Sequence, residues 1–472
     1  MDERAEKFDI VVVGCGTAGL AAAASAAGTE TDRPLRIAVL ERAVREERGG
    51  NSSWTGAYFR LEDVYTPADG FAEDIADFCR DRVPTDYVTA LVDRLPETME
   101  WLQEFGARFR AMPTIFITKS RPRVLPVGGG ERLVHVLAEA CENSGVEILY
   151  ETTAIKLRLG DRGDIEGLLV NDPNGQRVIA TNTVIIASGG FEGNPEMMTQ
   201  YMGPTASELR TIAPGGMFNK GEGIRMALDV GAKATGEWGQ FHAEPIDPRS
   251  SQPEAVVMIY AYGLLVNRQG VRFLDEGSGT VDETYEATAR TVWRDQGNLA
   301  YTVCDNSVRG LPNFDHAVMT DRPAIIADTL EELADAMGVP RDAFMATVEE
   351  FNAATRPGTF DCTVPDGLAT EGLDINKSNW ARPLVEAPFL AYPLSCSIVF
   401  TFGGIGTDLE GRAITADDRP IPGLFAAGEC TGLYHFKYPG ATSVMRGLVF
   451  GKRAGLTAAA YAAGLPSMVT KQ

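Results

Sequence analysis

Three glycines near the start of the sequence have the spacing of a dinucleotide-binding turn. Gly14, Gly16 and Gly19 fit the pattern G-x-G-x-x-G, and they stand between the apolar run Ile10–Val13 and an alanine-rich stretch. Such a turn lets the backbone approach a pyrophosphate, whose negative charge is attracted by the free N–H groups of the following helix. The pattern therefore predicts a buried strand, a phosphate-binding turn and a helix.

A carboxylate stands where the ribose of a dinucleotide is expected. The run Arg36–Leu40 is typical of a second buried strand, and it ends in Glu41. An acid roughly 20 positions beyond the glycines commonly accepts hydrogen bonds from the ribose hydroxyls. A glycine-rich turn of some other α/β protein is the alternative interpretation, and the position of Glu41 favours the dinucleotide site.

Three later segments have a related composition. Gly49-Gly50-Asn51-Ser52 is a polar loop whose glycines allow backbone N–H groups to point at a phosphate or a ring edge. Thr183–Phe191 repeats the first pattern, a buried strand that runs into two glycines. Pro420–Glu429 ends in a glycine and an acid, and a helix is predicted after it from about Thr442.

The length and composition are those of a globular protein with more than one domain. The chain has 472 residues, of which 44% are hydrophobic and 23% charged, and this is enough for two or three domains. Its 43 basic and 65 acidic residues give a formal net charge of −22. Because such a surface repels nucleic acid and anionic membranes, we expect neither as a partner.

The cysteines and the apolar segments bear on the compartment. Seven cysteines are scattered without a C-x-x-C pair, so neither a metal site nor a disulfide framework is predicted. Reduced thiols in the cytoplasm are the simplest account. No run approaches the roughly 18 uninterrupted apolar residues of a membrane span, so we expect a cytoplasmic protein with no integral membrane segment.

The character of the sequence changes twice along the chain. Prolines cluster just after residue 240, and residues 241–388 contain acid-rich turns and two predicted helices. Strand character returns at Ser397–Ile405. We predict an α/β protein in which residues 1–240 and 389–472 form one nucleotide-binding domain, interrupted by a second domain of residues 241–388.

Four of these segments together resemble the flavoprotein family of fumarate reductase and succinate dehydrogenase. They are Gly14–Gly19, Gly49–Ser52, Ala187–Phe191 and Pro420–Glu429, and they follow the family's order over nearly the whole chain. Within the family, Arg45–Ser52 and Asp275–Gly277 resemble tricarballylate dehydrogenase-like members. Tyr438–Ala441 is similar both to these and to the 3-ketosteroid dehydrogenases.

The resemblance implies FAD, held by a discontinuous Rossmann-like domain with an inserted α+β cap domain. Members with covalent FAD carry a histidine in the loop after the paired glycines, whereas this chain has Ser52-Ser53-Trp54-Thr55-Gly56. Non-covalent FAD is therefore expected. The residues expected to bind it are Gly14, Gly16, Gly19, Glu41, Gly49, Gly50, Asn51, Ser52, Ala187, Gly189, Gly190, Glu429, Thr442 and Ser443.

Four residues are candidates for the chemistry on the substrate. His242 and His435 stand where the family has substrate-binding histidines, and Arg290 stands somewhat beyond the place of its proton-donating arginine. Tyr438 can donate to a carbonyl or carboxylate oxygen and so acidify the neighbouring C–H. An ordinary aromatic residue at the start of a helix is the alternative interpretation of Tyr438.

These features predict an FAD-dependent dehydrogenase or reductase that acts on a CH–CH bond next to a carbonyl or carboxylate. Hydride would pass between flavin N5 and a small-molecule carboxylic acid, enone or ketone. The sequence contains one G-x-G-x-x-G, so we expect an external electron acceptor or donor rather than a bound nicotinamide. The alternative is a flavin-binding electron-transfer or scaffold protein without this chemistry.

Overall fold

A computed structural model of the protein describes residues 6–111, 123–161, 163–312 and 314–465. The chain divides into two compact units. The first unit holds the described residues up to His242 and those from Val399 onward, and the second holds those from Ala243 to Ile398. The described residues of the first unit therefore lie both before and after those of the second unit in the sequence.

The part of the chain that precedes the second unit alternates short strands with helices. Its helices are α1 (Thr17–Ala27), α2 (Phe71–Phe78), α3 (Thr85–Glu104), α4 (Gly129–Asn143), α5 (Pro195–Met202) and α6 (Glu222–Asp229). Its strands are β1 (Glu6–Lys7), β2 (Ile10–Val13), β3 (Ile37–Leu40), β4 (Phe109–Ala111), β5 (Val124–Pro126), β6 (Glu147–Leu149), β7 (Thr153–Leu159), β8 (Ile165–Asp172), β9 (Gly175–Ala180), β10 (Val184–Ile186), β11 (Arg210–Thr211), β12 (Ala234–Thr235) and β13 (Phe241–Ile246).

The remaining elements complete both units. The strands are β14 (Leu264–Asn267), β15 (Ala300–Cys304), β16 (Ile325–Ala327), β17 (Phe389–Thr401), β18 (Gly404–Ile405), β19 (Arg412–Ile414) and β20 (Pro420–Ala426). The helices are α7 (Val281–Asp295), α8 (Phe314–Ala317), α9 (Leu330–Met337), α10 (Arg341–Ala354) and α11 (Ser443–Ala462).

A six-stranded sheet organises the first unit, in the order β19-β20-β10-β2-β3-β6. The five strands from β20 to β6 are parallel, and β19 joins their edge in the antiparallel direction. Strands β2, β3 and β10 are buried throughout, which is why they are continuous runs of Val, Ile, Leu and Ala without alternation. The α/β class predicted from the sequence is confirmed.

The register of this sheet aligns the ends of its parallel strands. Val13 pairs with Leu40 on one side and Ile186 on the other, and Ile186 pairs in turn with Ala426. These four residues are the last of β2, β3, β10 and β20. Since parallel strands place their carboxyl ends at the same edge, the four segments that follow them start side by side. We call this edge the carboxyl edge.

Helices α1 and α11 pack closely because both carry small residues at the contact. Ten residues of α1, from Thr17 to Ala26, are buried. A Cβ on Gly451 of α11 would lie 2.4 Å from the carbonyl oxygen of Ala18, and one on Gly455 would lie 2.1 Å from that of Ala22. Only glycine permits this approach. The first helix of the chain and the last are thereby held together.

The second unit contains an antiparallel sheet in which β15 lies between β14 and β17. Strand β16 also pairs with β17. Helix α7 begins with a capping box, in which Thr280 and Glu283 exchange side-chain-to-backbone hydrogen bonds. Helices accompany an antiparallel sheet in this unit, as expected for an α+β domain.

Strand β17 is longer than the sequence indicated. Strand character was expected from Ser397, but β17 begins at Phe389. Pro393 lies inside it, opposite Tyr301 of β15, and a proline normally argues against a strand interior. Because nearly every residue of β17 is buried, the alternation that identifies half-exposed strands is also missing.

Among the helices of the described ranges, none is long and apolar enough to cross a membrane.

Candidate active site

The turn after β2 and the turn after β10 touch through their backbones. Gly14 has a φ of +111°, and a Cβ there would lie 2.3 Å from the carbonyl oxygen of Ala187. Gly19 faces the same turn from α1, and its Cβ would lie 2.0 Å from the carbonyl oxygen of Gly14. Side chains at either place would separate the turns. The structure thus brings together two of the segments that the sequence singled out.

The loop that begins at Gly49 lies over the N-terminus of α1. Gly49 and Gly50 both have positive φ, +100° and +53°. Ser52 Oγ accepts a hydrogen bond from the N–H of Thr17 at 3.2 Å and lies 3.1 Å from Thr17 Oγ1. Gly16 faces this loop, with Ser52 Oγ 3.2 Å from the position of a Cβ. Ser52 therefore occupies one N–H of the helix terminus that was expected to bind a pyrophosphate.

Glu41 joins the end of β3 to this loop. Its carboxylate accepts hydrogen bonds from the N–H of Ala43 at 2.9 Å and from the N–H of Gly49 at 3.4 Å. Glu41 is buried, and burial raises the pKa of its carboxyl. The contact places Glu41 at the carboxyl edge of the sheet, where its ribose-binding role was predicted.

Glu192 and Asn219, which the sequence analysis did not select, lie at the same edge. Asn51 Nδ2 and Asn219 Nδ2 each donate to Glu192 Oε1 at 2.7 Å. Asn219 Nδ2 also donates to Glu429 Oε2 at 3.3 Å, and Glu429 Oε1 accepts from the N–H of Thr401 at 3.1 Å. Glu192 and Asn219 thus connect Asn51 and Glu429, two of the predicted FAD ligands.

The sequence did contain a signal for both residues. Glu192 directly follows Ala187–Phe191, where an acid stands next to a buried strand and a glycine pair. Asn219 precedes the start of α6, and a Cβ on Gly189 would lie 2.5 Å from its side chain. Polar residues enclosed between predicted site segments are candidates for a buried network.

The electrostatic environment of the two acids is unusual. Burial and the neighbouring Glu429 raise the pKa of Glu192 well above its ordinary value. Burial also raises the pKa of Glu429, which hydrogen bonds from Thr401 and Gly190 partly offset. Perturbed acids of this kind are common at functional sites.

Predicted substrate residues of the first unit meet in an aromatic cluster. The ring of His242 lies 4.4 Å from that of Tyr438 and 5.0 Å from that of Phe400. Tyr438 also packs edge-on against Phe400 at 5.0 Å and Tyr434 at 5.3 Å. The structure therefore brings His242 and Tyr438 together, although they are far apart in the sequence.

The hydroxyl of Tyr438 closes the N-terminus of α11. Its oxygen accepts hydrogen bonds from the N–H groups of Thr442 and Ser443, both at 2.9 Å, and it donates to Ser443 Oγ at 3.0 Å. Thr442 Oγ1 lies 2.6 Å from the hydroxyl of Tyr434. The N–H groups of Thr442 and Ser443, two of the residues expected to bind FAD, are thus bonded to Tyr438.

His435 lies three residues from Tyr438 on a strained segment. The next residue, Phe436, has a φ of +57°, and its N–H donates to Glu237 Oε2 at 2.7 Å. The Nδ1 atom of His435 is buried and has no hydrogen-bond partner among the described residues. Burial lowers the pKa of His435, so its ring is held toward the neutral form.

Arg290 lies in the second unit, on α7. Its Nη2 atom is 3.6 Å from Glu286 Oε2, one helical turn earlier. Both side chains are buried, and Glu286 Oε1 also accepts from the N–H of Ala243 at 3.4 Å. An arginine placed in this way is an ion-pair partner within its own unit as well as a candidate proton donor.

The carboxyl edge fits a dinucleotide such as FAD. Glycines line it at the turns after β2 and β10, where a Cβ on Gly14 would collide with the Ala187 backbone and one on Gly189 with the Asn219 side chain. Two buried polar atoms at this edge, Ser188 Oγ and Asn51 Oδ1, have no hydrogen-bond partner among the described residues. Buried polar atoms are normally satisfied, and the hydroxyls and phosphates of a dinucleotide would satisfy them.

Comparison with known proteins supports FAD as the cofactor. A family model described as FAD binding domain matches residues 9–444. Vinyl phenol reductase of Lactiplantibacillus plantarum is 26% identical and covers 97% of each chain. The 4-oxocyclohexanecarboxylate 2-dehydrogenase of Sinomonas cyclohexanicum is 29% identical over 79% of this chain and 67% of its own. The open conformation of a flavocytochrome c3 fumarate reductase matches with a TM-score of 0.78 at 23% identity, over 97% of this chain and 79% of that one.

The chain belongs to the FAD binding domain family. The resemblance to the fumarate reductase and succinate dehydrogenase flavoproteins that the sequence motifs predicted is confirmed. The protein is an FAD-dependent dehydrogenase or reductase that acts on a CH–CH bond, which confirms the predicted cofactor and reaction class. The alternative of a flavin protein without this chemistry is not supported.

Replacement of Gly16 by alanine tests whether the first glycine turn binds the cofactor. The nearest atom to a Cβ at Gly16 is Ser52 Oγ at 3.2 Å, so the protein itself can accept the methyl group if this side chain shifts by a few tenths of an ångström. A pyrophosphate at the turn cannot, and we expect the purified variant to lose most of its flavin absorbance. Full flavin content in Gly16→Ala would contradict the assignment. Gly19→Ala is the contrasting variant, because its collision with Gly14 should lower the amount of folded protein.

Proposed function

We propose that the protein oxidises or reduces a C–C bond adjacent to a carbonyl or carboxylate of a small organic acid or ketone. The proposal rests on the position of the Tyr438 hydroxyl. Its oxygen accepts hydrogen bonds from two backbone N–H groups, and its ring lies beside that of His242. We also propose an external electron carrier as partner and a cytoplasmic location. All seven cysteines are free thiols, which supports a reducing compartment.

Tyr438 is suited to polarise the substrate. FAD, when bound, exchanges hydride with the substrate through its N5 atom. The N–H groups of Thr442 and Ser443 donate hydrogen bonds to the oxygen of Tyr438. The hydroxyl can therefore act toward a substrate as a hydrogen-bond donor. A substrate carbonyl or carboxylate oxygen would receive this hydrogen in place of Ser443 Oγ. Charge that develops on that oxygen would then be stabilised by a donor already held in position.

The two histidines have different supporting roles. His435 has a buried ring nitrogen without a partner among the described residues and is held toward its neutral form, so it can bind a substrate oxygen as a neutral donor. His242 contacts the Tyr438 ring and orients it. Arg290, which lies 3.6 Å from Glu286, is the candidate for the proton transfer on the neighbouring carbon.

Acid precipitation tests the proposal that FAD is bound without a covalent bond. The loop after Gly50 has serines, a tryptophan and a threonine where a histidine would be needed. We therefore expect acid to release yellow flavin into the supernatant, measured by its absorbance near about 450 nm. Flavin that stays with the protein pellet after washing would show a covalent bond.

Anaerobic mixing of the holoenzyme with candidate substrates tests the reaction. Saturated acids and ketones should bleach the oxidised flavin, or the corresponding unsaturated compounds should restore the colour of the dithionite-reduced enzyme. A control compound that lacks the carbonyl or carboxylate should do neither, because it offers Tyr438 no oxygen. A panel of acids, enones and ketones that leaves both flavin states unchanged would refute the proposed substrate class.

Tyr438→Phe tests the role of the hydroxyl. With a substrate that reduces the flavin, we expect the rate of reduction to fall roughly 100- to 1000-fold, the effect of one lost oxyanion donor. Flavin content should stay the same, since only a hydroxyl is removed. Tyr434→Phe is the matched control, because it removes a neighbouring hydroxyl that bonds Thr442 and should change the rate only a few-fold. Equal rates in the two variants would exclude Tyr438 as the donor.

A further inference from the structure

Glu192 and Glu429 form a carboxyl pair without a counter-ion. Glu192 is only 5% exposed. Among the described residues, neither carboxylate lies within ion-pair distance of a lysine, arginine or histidine. The positive charge of Arg446 acts to lower the pKa of Glu429. The Arg446 guanidinium itself, however, donates a hydrogen bond to the carbonyl oxygen of Thr431 at 3.2 Å. The adjacent Cys430 thiol is neutral, because burial raises its pKa to about 12.

The hydrogen bonds of Glu192 are distributed unequally between its two oxygens. Oε1 accepts from both Asn51 and Asn219 at 2.7 Å. Oε2 is buried and accepts no hydrogen bond from any described residue. A buried carboxylate oxygen with no donor is costly, whereas the same oxygen as a hydroxyl needs an acceptor instead. The neighbouring Glu429 carboxylate provides that acceptor.

We propose that Glu192 carries a proton on Oε2, shared with Glu429, and that in this form it is the residue that positions Asn51 and Glu429 for FAD. Two carboxylates close together in a buried site do not both ionise. The direction of the shift in the pKa of Glu192, upward through burial and through Glu429, agrees with the geometry. The inference uses the FAD site only and is independent of the proposed substrate.

The arrangement makes FAD binding depend on this proton. Below the pKa of the pair, Glu192 accepts from both asparagines and donates to Glu429, so all four side chains are held together. Loss of the proton places a second negative charge beside Glu429, and the repulsion separates the two acids. Since the neutral form is the one that holds the site, FAD is retained at lower pH and released faster as the pH rises through that pKa.

The release of FAD from the purified holoenzyme tests the proposal. The recovery of free-flavin fluorescence after dilution gives the release rate between about pH 6 and pH 10. In the wild type we expect the rate to be constant at first and then to rise about tenfold per pH unit. In Glu192→Gln, the amide oxygen can still accept hydrogen bonds from Asn51 and Asn219, and the amide NH2 can donate one to Glu429. Its rate should lie within about threefold of wild type at low pH and stay flat.

Two further variants separate this role from a merely structural one. Glu192→Ala leaves two asparagine donors unpaired, so FAD should leave roughly 10- to 100-fold faster at every pH. Glu196→Gln makes the same substitution at a side chain that is 86% exposed, and its pH profile should match wild type. The unfolding midpoint of each holoenzyme, measured across the same pH range, provides a second comparison of the variants that does not use the rate of flavin release. A Glu192→Gln profile that rises like wild type, or that matches Glu192→Ala, would overturn the proposal.

Discussion

The alignment of four parallel strand ends is the constraint on which the site depends. Because Val13, Leu40, Ile186 and Ala426 lie in one row, the segments after them must share a narrow strip of space. The turns after β2 and β10 fit there only because Gly14 has no side chain toward Ala187. The same crowding encloses Glu192 and Asn219. A buried polar network at this edge is therefore a result of the sheet register as much as of the residues themselves.

Much of the cofactor half of this site can be predicted from sequence, for a physical reason. A buried parallel strand is a short apolar run, and a sharp turn close to other backbone needs glycine, so both leave local signals. The segments around Gly14, Gly49, Gly189 and Glu429 were found in this way, and the predicted family, fold class and FAD are confirmed. The assignments of individual residues to FAD or substrate remain predictions.

What sequence could not provide are contacts set by distant parts of the chain. Asn219 reads as a polar residue before a helix, and only the fold places it between two acids. Tyr438 reads equally well as a donor or as an aromatic packing residue, and the structure adds that its oxygen caps α11. Strand β17 was underestimated because Pro393 and the burial of nearly every residue remove the usual signals of a strand. In each case the deciding partner comes from elsewhere in the sequence.

The packing of α1 on α11 has a consequence for how the protein is made. Helix α11 follows β20, and both are synthesised after the described residues of the second unit, yet β20 pairs with β10 and α11 packs on α1. The first unit therefore cannot complete its fold until the residues from Val399 onward have been synthesised. Until then, the apolar faces of α1 and β10 are uncovered. Contacts between such distant segments slow folding and expose the chain to aggregation. The described residues of the second unit, Ala243–Ile398, are complete before β20 and α11 are synthesised, so this unit is expected to be the earlier of the two to fold during translation.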